Sequence, residues 1–196
     1  MPAKREITRA DIMPMEEFAV VRKQRRSEIS AIKRIRRLAI GPDATIYFES
    51  YDTMWWQVHE MLHIEKGGEA QIADELSAFN PLIPNGHELV ATLMFEINDP
   101  ARRDALLSRL GGVEKYIAIT VGSETIAAVA EDDVERSTDE GRASSVQFLH
   151  FPFTHEQISA FRDPAARVIV AIDHAGYGHM AVMDDAVSEA LADDFE

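Results

Sequence analysis

The run Asn80-Pro81-Leu82-Ile83-Pro84-Asn85-Gly86 constrains this chain more than any other feature. Two prolines and an Asn-Gly pair within one short stretch exclude a continuous helix or a central strand there. The apolar pattern also changes across it. On the N-terminal side, Phe18, Val21, Ile29, Ile32 and Ile35 recur at helix-compatible steps, and Trp55, Trp56, Val58, Met61 and Leu62 form a second such group. On the C-terminal side the runs are shorter and richer in β-branched residues, as in Leu89 to Ile97, Tyr116 to Val121, Thr125 to Ala130, Ser145 to Phe153 and Arg167 to Asp173. A chain of this texture is expected to be α+β: a helical N-terminal half packed on a mixed, largely antiparallel C-terminal sheet with flanking helices.

At 196 residues, 46% hydrophobic and 28% charged, the sequence can bury one sizeable core. The expected organisation is a single domain over residues 1–196, helical over 1–84 and sheet-containing over 85–196. Local signals refine this. Thr8 with Asp11 marks a capping box, and a long helix, or two with a break near Arg25, is expected to end at Gly41-Pro42. Ala44 to Glu49 reads as a strand, and Asp52 or Thr53 as the cap of a helix that stops at Gly67-Gly68. Further helices are expected over Glu69 to Phe79, over Pro100 to Leu110, from Thr154 to Phe161, and from Asp184 onward. Glu131 to Glu140 reads as an exposed acidic loop.

The absence of cysteine excludes disulfides, thiolate metal sites and cysteine nucleophiles, so any metal would sit on His, Asp or Glu. No window supplies the ~20 apolar residues of a membrane-spanning helix, and a cytoplasmic address is expected. The formal net charge of -14 disfavours polyanion binding by the molecule as a whole. It is unevenly spread, since eight basic residues lie between Arg22 and Arg37 against the single acid Glu28. Arg25, Arg26, Arg36 and Arg37 are therefore candidates for contact with RNA or an acidic partner. A solvated helix face explains the same residues.

The sharpest motif is His59-Glu60-Met61-Leu62-His63, an H-E-x-x-H match on an expected helix. Two imidazoles four residues apart can share a zinc ion while the glutamate activates its water. Glu75 and Glu88 are possible third ligands, but neither has a supporting motif. Helical geometry places His59 at the edge of the apolar stripe and His63 further round, so two boundary histidines are the competing reading. Adjacent Trp55 and Trp56 cannot both face one core from a helix, which makes Trp56 a candidate anchor for a protein partner. His150, His155, His174 and His179 lie on or after strands, and the Asp173 to His179 segment could hold His174 and His179 as iron ligands in one glycine-rich loop. No phosphate-binding glycine loop, dinucleotide fingerprint or serine-centred elbow is present.

Several of these segments also carry a resemblance. The runs Asp52 to Glu65, Asn80-Pro81-Leu82-Ile83-Pro84, Glu88 to Leu93 and Ser144 to Pro152, with Thr8 to Pro14 before them, resemble a prokaryotic family known as domain of unknown function family 3501. In that family glutamine usually stands at the place of His59 and arginine at that of His63, which implies that H-E-x-x-H is not the family's chemistry. Relatives are often encoded near rubrerythrin-like and iron-sulfur proteins. The resemblance therefore implies an accessory or binding protein of a bacterial redox or peroxide-stress module, with a rubrerythrin-like or iron-sulfur partner, rather than an enzyme. A His/carboxylate metalloenzyme centred on His59, Glu60 and His63 is the alternative reading, and an RNA-associated protein using the basic helix is the third. No cofactor is required by the sequence.

Overall fold

The computed structural model describes residues 4–131 and 141–196. Most of the expected acidic loop, from residue 132 to Glu140, lies outside the described residues. Thr8 and Asp11 do form a reciprocal capping box, but over a single 3-10 turn, Arg9–Asp11. Helix α1 (Met15–Arg34) follows without a break at Arg25, because residues 22–28 are good helix formers and nothing there interrupts the backbone ladder.

The helix does not continue to Gly41. Residues after Ile35 turn back into strand β1 (Arg37–Ile40), which pairs with β2 (Ala44–Phe48) through the Gly41-Pro42-Asp43 turn. Gly41 has φ +71°, and a Cβ there would collide with the His179 ring, so both conformation and space demand glycine. Next come α2 (Tyr51–Glu65), α3 (Glu69–Phe79), β3 (Glu88–Phe95), α4 (Pro100–Leu107), β4 (Ile117–Val121), β5 (Glu124–Ala127) and β6 (Val129–Ala130). The chain closes with β7 (Val146–Pro152), α5 (His155–Phe161), β8 (Val168–His174), β9 (Tyr177–Val182) and α6 (Asp185–Ala192). Helix α2 is capped by Ser50 rather than Asp52 or Thr53. Thr53 is its reciprocal capping-box partner.

The fold is α+β, but the strands form two antiparallel sheets instead of one. The first has order β1-β2-β3-β7-β6 and the second β5-β4-β8-β9. Strands β1 and β2 precede Pro84 yet pair directly with the first sheet, so helices and sheets do not separate at the proline-rich link. The two sheets share one core, in which Ile46, Phe48, Leu93 and Phe151 meet Ile119, Val121, Val170 and Ile172. The other face of the first sheet carries the helices: Val90 and Phe148 pack under Met54, Val58 and Leu62 of α2, Ile72 of α3, and Ile7 of the N-terminal segment. Helix α1 locks onto α2 through Phe18 and Ile29 against Trp56. No helix among the described residues is long and apolar enough to cross a membrane.

Candidate functional site

Helix α2 brings the H-E-x-x-H residues to the α1 interface rather than to a cleft. His59 is fully buried. Its ring lies 3.8 Å from that of Trp55 and 5.0 Å from that of Phe18, between centroids. Its Nε2 accepts from the Met13 backbone N–H at 3.0 Å, which requires Nδ1 to donate to the Trp55 carbonyl at 2.7 Å. Both nitrogens are thus engaged by the backbone, and burial holds the imidazole's pKa below its ordinary value. Glu60 makes a two-pronged ion pair with Arg22, at 2.7 and 2.8 Å, and His63 sits edge-on to Phe18 at 5.8 Å. Glu75 accepts from Gln71, and Glu88 is bonded to His150. These residues do not fit a zinc ion: a ligating imidazole needs a free nitrogen and a common focus with its partners.

Three other expectations change as well. Trp56 is 8% exposed and packs on Phe18 at 5.6 Å, so it anchors α1 to α2 instead of a partner. Trp55 sits at the helix boundary, donating its indole N–H to the Asp11 carbonyl with Arg25 over its ring. The four arginines do not form one patch. Arg25 and Arg26 are exposed on α1, with Arg25 paired to Glu28, and Arg37 is exposed on β1. Arg36 is buried, donating to the carbonyls of Phe48, Glu49 and Ala190 and pairing with Asp194. The glycine-rich segment is the β8–β9 hairpin: His174 opposes Tyr177 and its Nδ1 accepts from Gly176 N–H, whereas His179 stacks on Tyr177 at 4.3 Å. The His174 ring packs edge-on to Tyr116 at 5.1 Å, so the two histidines rest against different aromatic rings. His150 bridges Glu88 and Glu131 at 3.0 and 2.7 Å, and those contacts raise its pKa. His155 meets His87 edge to face at 5.5 Å.

The structure assembles a different site where β2 passes into α2. Glu49 follows the last residue of β2 and is held at that level by its N–H donating to the Val90 carbonyl at 2.8 Å. Its side chain turns under the helical layer and is 6% exposed. The hydroxyl of Thr53 donates to Oε2 at 2.6 Å, and that of Thr92 on β3 donates to Oε1 at 2.7 Å. A carboxylate offers about four lone-pair positions, so one acceptor position on each oxygen remains.

Glu49 and Thr92 are among the residues that line a cavity of about 440 Å3 between the outer face of the first sheet and the helices. Its walls include Met54, Phe79, Leu82, Met94 and Phe148, with Lys33, Tyr47 and Gln57 among the polar lining groups. An apolar concavity with a few convergent polar atoms is the usual form of a small-ligand site. A larger cavity of about 650 Å3 lies beyond the Glu49-Ser50 segment, lined by Lys4, Arg36 and Asp194 among others. Two of its charged groups are held in ion pairs, Lys4 with Asp11 and Arg36 with Asp194, and Arg5, Asp52 and Asp193 also line it.

None of Glu49, Thr53 and Thr92 stood out as functional from sequence alone. A signal was present: an acid closing a buried strand four residues before a threonine, and a lone hydroxyl inside the apolar run Leu89 to Leu93. Neither becomes informative until β2 and β3 are known to be neighbours, with Tyr47 facing Thr92.

Fold and cavity together define the chain as an α+β two-sheet protein with a helix-roofed cavity. Residues 6–195 match the family described as protein of unknown function (DUF3501), and the chain belongs to that family. It is also similar to a crystal structure of a novel protein of unknown function from Burkholderia pseudomallei. That chain is 35% identical, with a TM-score of 0.90, and the match covers 97% of this chain and 99% of the other. No curated protein matches.

Proposed function

We propose that the protein is a binding protein for a small, largely apolar molecule that carries a cationic or hydrogen-bond-donating head, such as an amine. The observation that carries this reading is the Glu49 carboxylate on an apolar cavity wall, with one threonine hydroxyl on each oxygen. The hydroxyls fix the carboxylate's plane, and a donor entering the cavity meets its remaining lone pairs. Because Glu49 itself is buried, a charge-assisted contact with it is stronger than one at the surface. Apolar walls supply affinity, and the carboxylate supplies orientation.

The test is a thermal-shift and calorimetric screen of amine-bearing and matched uncharged fragments against the wild type and Glu49→Gln. The expected result is that amines stabilise the wild type and lose at least about tenfold in affinity on Glu49→Gln, consistent with a lost charged hydrogen bond. Equal binding by both proteins, or preference for uncharged fragments, would overturn the reading. The wider role, an accessory of a redox module with a rubrerythrin-like or iron-sulfur partner, is supported by the family resemblance, and is tested by what co-purifies with the untagged protein from its host.

A further inference from the structure

We propose that the protein forms a two-fold homodimer through the outer face of its second sheet. One face of that sheet belongs to the core, through Ile117, Ile119, Val168 and Val170. The opposite face remains open to water: Met180 is 71% and Val182 46% exposed, Thr125 and Ala127 are exposed, and the residues between them are half-buried. Strand faces turned to solvent normally carry polar and charged side chains. The middle of this one carries alanine, isoleucine, methionine and valine with two threonine hydroxyls, and charge enters at the two ends of β8.

Register makes the face specific. One cross-strand row is Ala127, Ala118, Ala171 and Met180, and the next is Thr125, Thr120, Ile169 and Val182. The first is a furrow of three alanines closed at one edge by methionine, and the second is a ridge. A two-fold axis lying between the rows, parallel to them and in the plane of contact, sets the ridge of each copy over the furrow of the other. The same operation acts along β8, where alternation continues outward to exposed Arg167 at one end and exposed Asp173 at the other. These two lie equally far from the axis, so Arg167 of each copy is brought over Asp173 of its mate. An isologous contact demands such self-complementarity.

The fit in charge selects a second copy over an unrelated partner. In a chain of net charge -14 this face adds no block of like charge, and its two charged ends, Arg167 and Asp173, are of opposite sign and meet across the axis. Four strands at ~4.8 Å spacing and about 20 Å of length give roughly 400 Å2 per face and about 800 Å2 for the pair, the size of a weak, reversible contact.

Sedimentation equilibrium of the full chain at micromolar concentrations tests this. A monomer-dimer equilibrium is expected for the wild type. Met180→Glu and Ala171→Glu should abolish it, with unchanged circular dichroism. Arg167→Asp and Asp173→Arg should each weaken dimerisation about tenfold or more, and the two combined should restore it, because the swapped charges meet again across the axis. A strictly monomeric wild type, a dimer indifferent to Met180→Glu and Ala171→Glu, or a charge swap that fails to restore binding would overturn the proposal. Since none of these residues lines the Glu49 cavity, amine binding reads out independently.

Discussion

Replacing His59 removes an imidazole that fills space between Trp55 and Phe18 and also accepts the Met13 N–H. His59→Ala loses packing worth about 2 kcal/mol after partial relaxation. It also leaves a part-buried N–H without its acceptor, at about 2 kcal/mol more. The expected total of about 4 kcal/mol is a large share of the ~5–15 kcal/mol that holds a domain folded. His59→Gln can present an amide oxygen to Met13, and should cost about 1–2 kcal/mol. The pH dependence has a definite sign. The folded imidazole's pKa is lowered from an ordinary 6.5 because burial disfavours the charged ring. Its contribution is fully present above 6.5 and is lost as pH falls from there towards the folded value, since only the unfolded chain takes up the proton in that window. Urea unfolding followed by tryptophan fluorescence, at neutral pH and about one unit below 6.5, measures both effects. The wild type should weaken between the two conditions, and His59→Gln should weaken less. A cost for His59→Ala below about 1 kcal/mol, or an acid response unchanged by His59→Gln, would refute the account of a neutral, backbone-bonded histidine.

His150 predicts the opposite limb. Its pKa is raised, first by the hydrogen bond to Glu88, so its stabilisation is complete below 6.5 and disappears as pH rises through the folded value. His150→Gln should therefore flatten the alkaline side of the stability profile and cost about 1–2 kcal/mol in mildly acid solution, measured by the same unfolding series. Arg36→Ala should cost about 3–5 kcal/mol by leaving buried Asp194 and three carbonyls unmatched, whereas Arg36→Met combined with Asp194→Leu should recover most of that loss in thermal melts.

Where a local rule decides the conformation, the sequence was readable. Thr154 and Gln157 form the reciprocal cap of α5 because the two side chains satisfy each other's backbone N–H, and no tertiary contact is needed. Likewise Leu89 to Ile97 announced β3 by its mostly apolar run, interrupted at Thr92 and Glu96. Strand β1 escaped because Ile29, Ile32 and Ile35 keep helical spacing until Gly41, and because what ends α1 is the demand of buried Arg36 for carbonyls on β2 and α6. Strand β9 escaped because Gly176 and Gly178 look like loop punctuation, although they let the hairpin approach Arg109 and His174 closely. The division into two sheets was hidden for another reason. Val129-Ala130 follows directly on β5 yet pairs with β7, a choice set by distant partners. The H-E-x-x-H residues do not converge on the same grounds, since Met13 and Trp55 engage both nitrogens of His59 and Arg22 of α1 engages Glu60. The Glu49 cavity needs three separate segments and had no local signature strong enough to reveal it.

The clasp around the last described residues orders events during synthesis. Arg5 donates to the carbonyls of Pro84 and Asp194, Arg36 pairs with Asp194, Arg162 donates to the carbonyls of Phe195 and Glu196, and Glu196 N–H returns to the Gly86 carbonyl. Arg5 thus finds a partner 189 positions later in the chain. Until the ribosome has released Asp194, Arg36 is a charge facing a half-built core, and the hairpin of β1 and β2 lacks its counterion. The N-terminal segment cannot settle vectorially as it emerges. It must wait, and in that interval the apolar undersides of α1 and α2 are the surfaces a nascent-chain chaperone would meet.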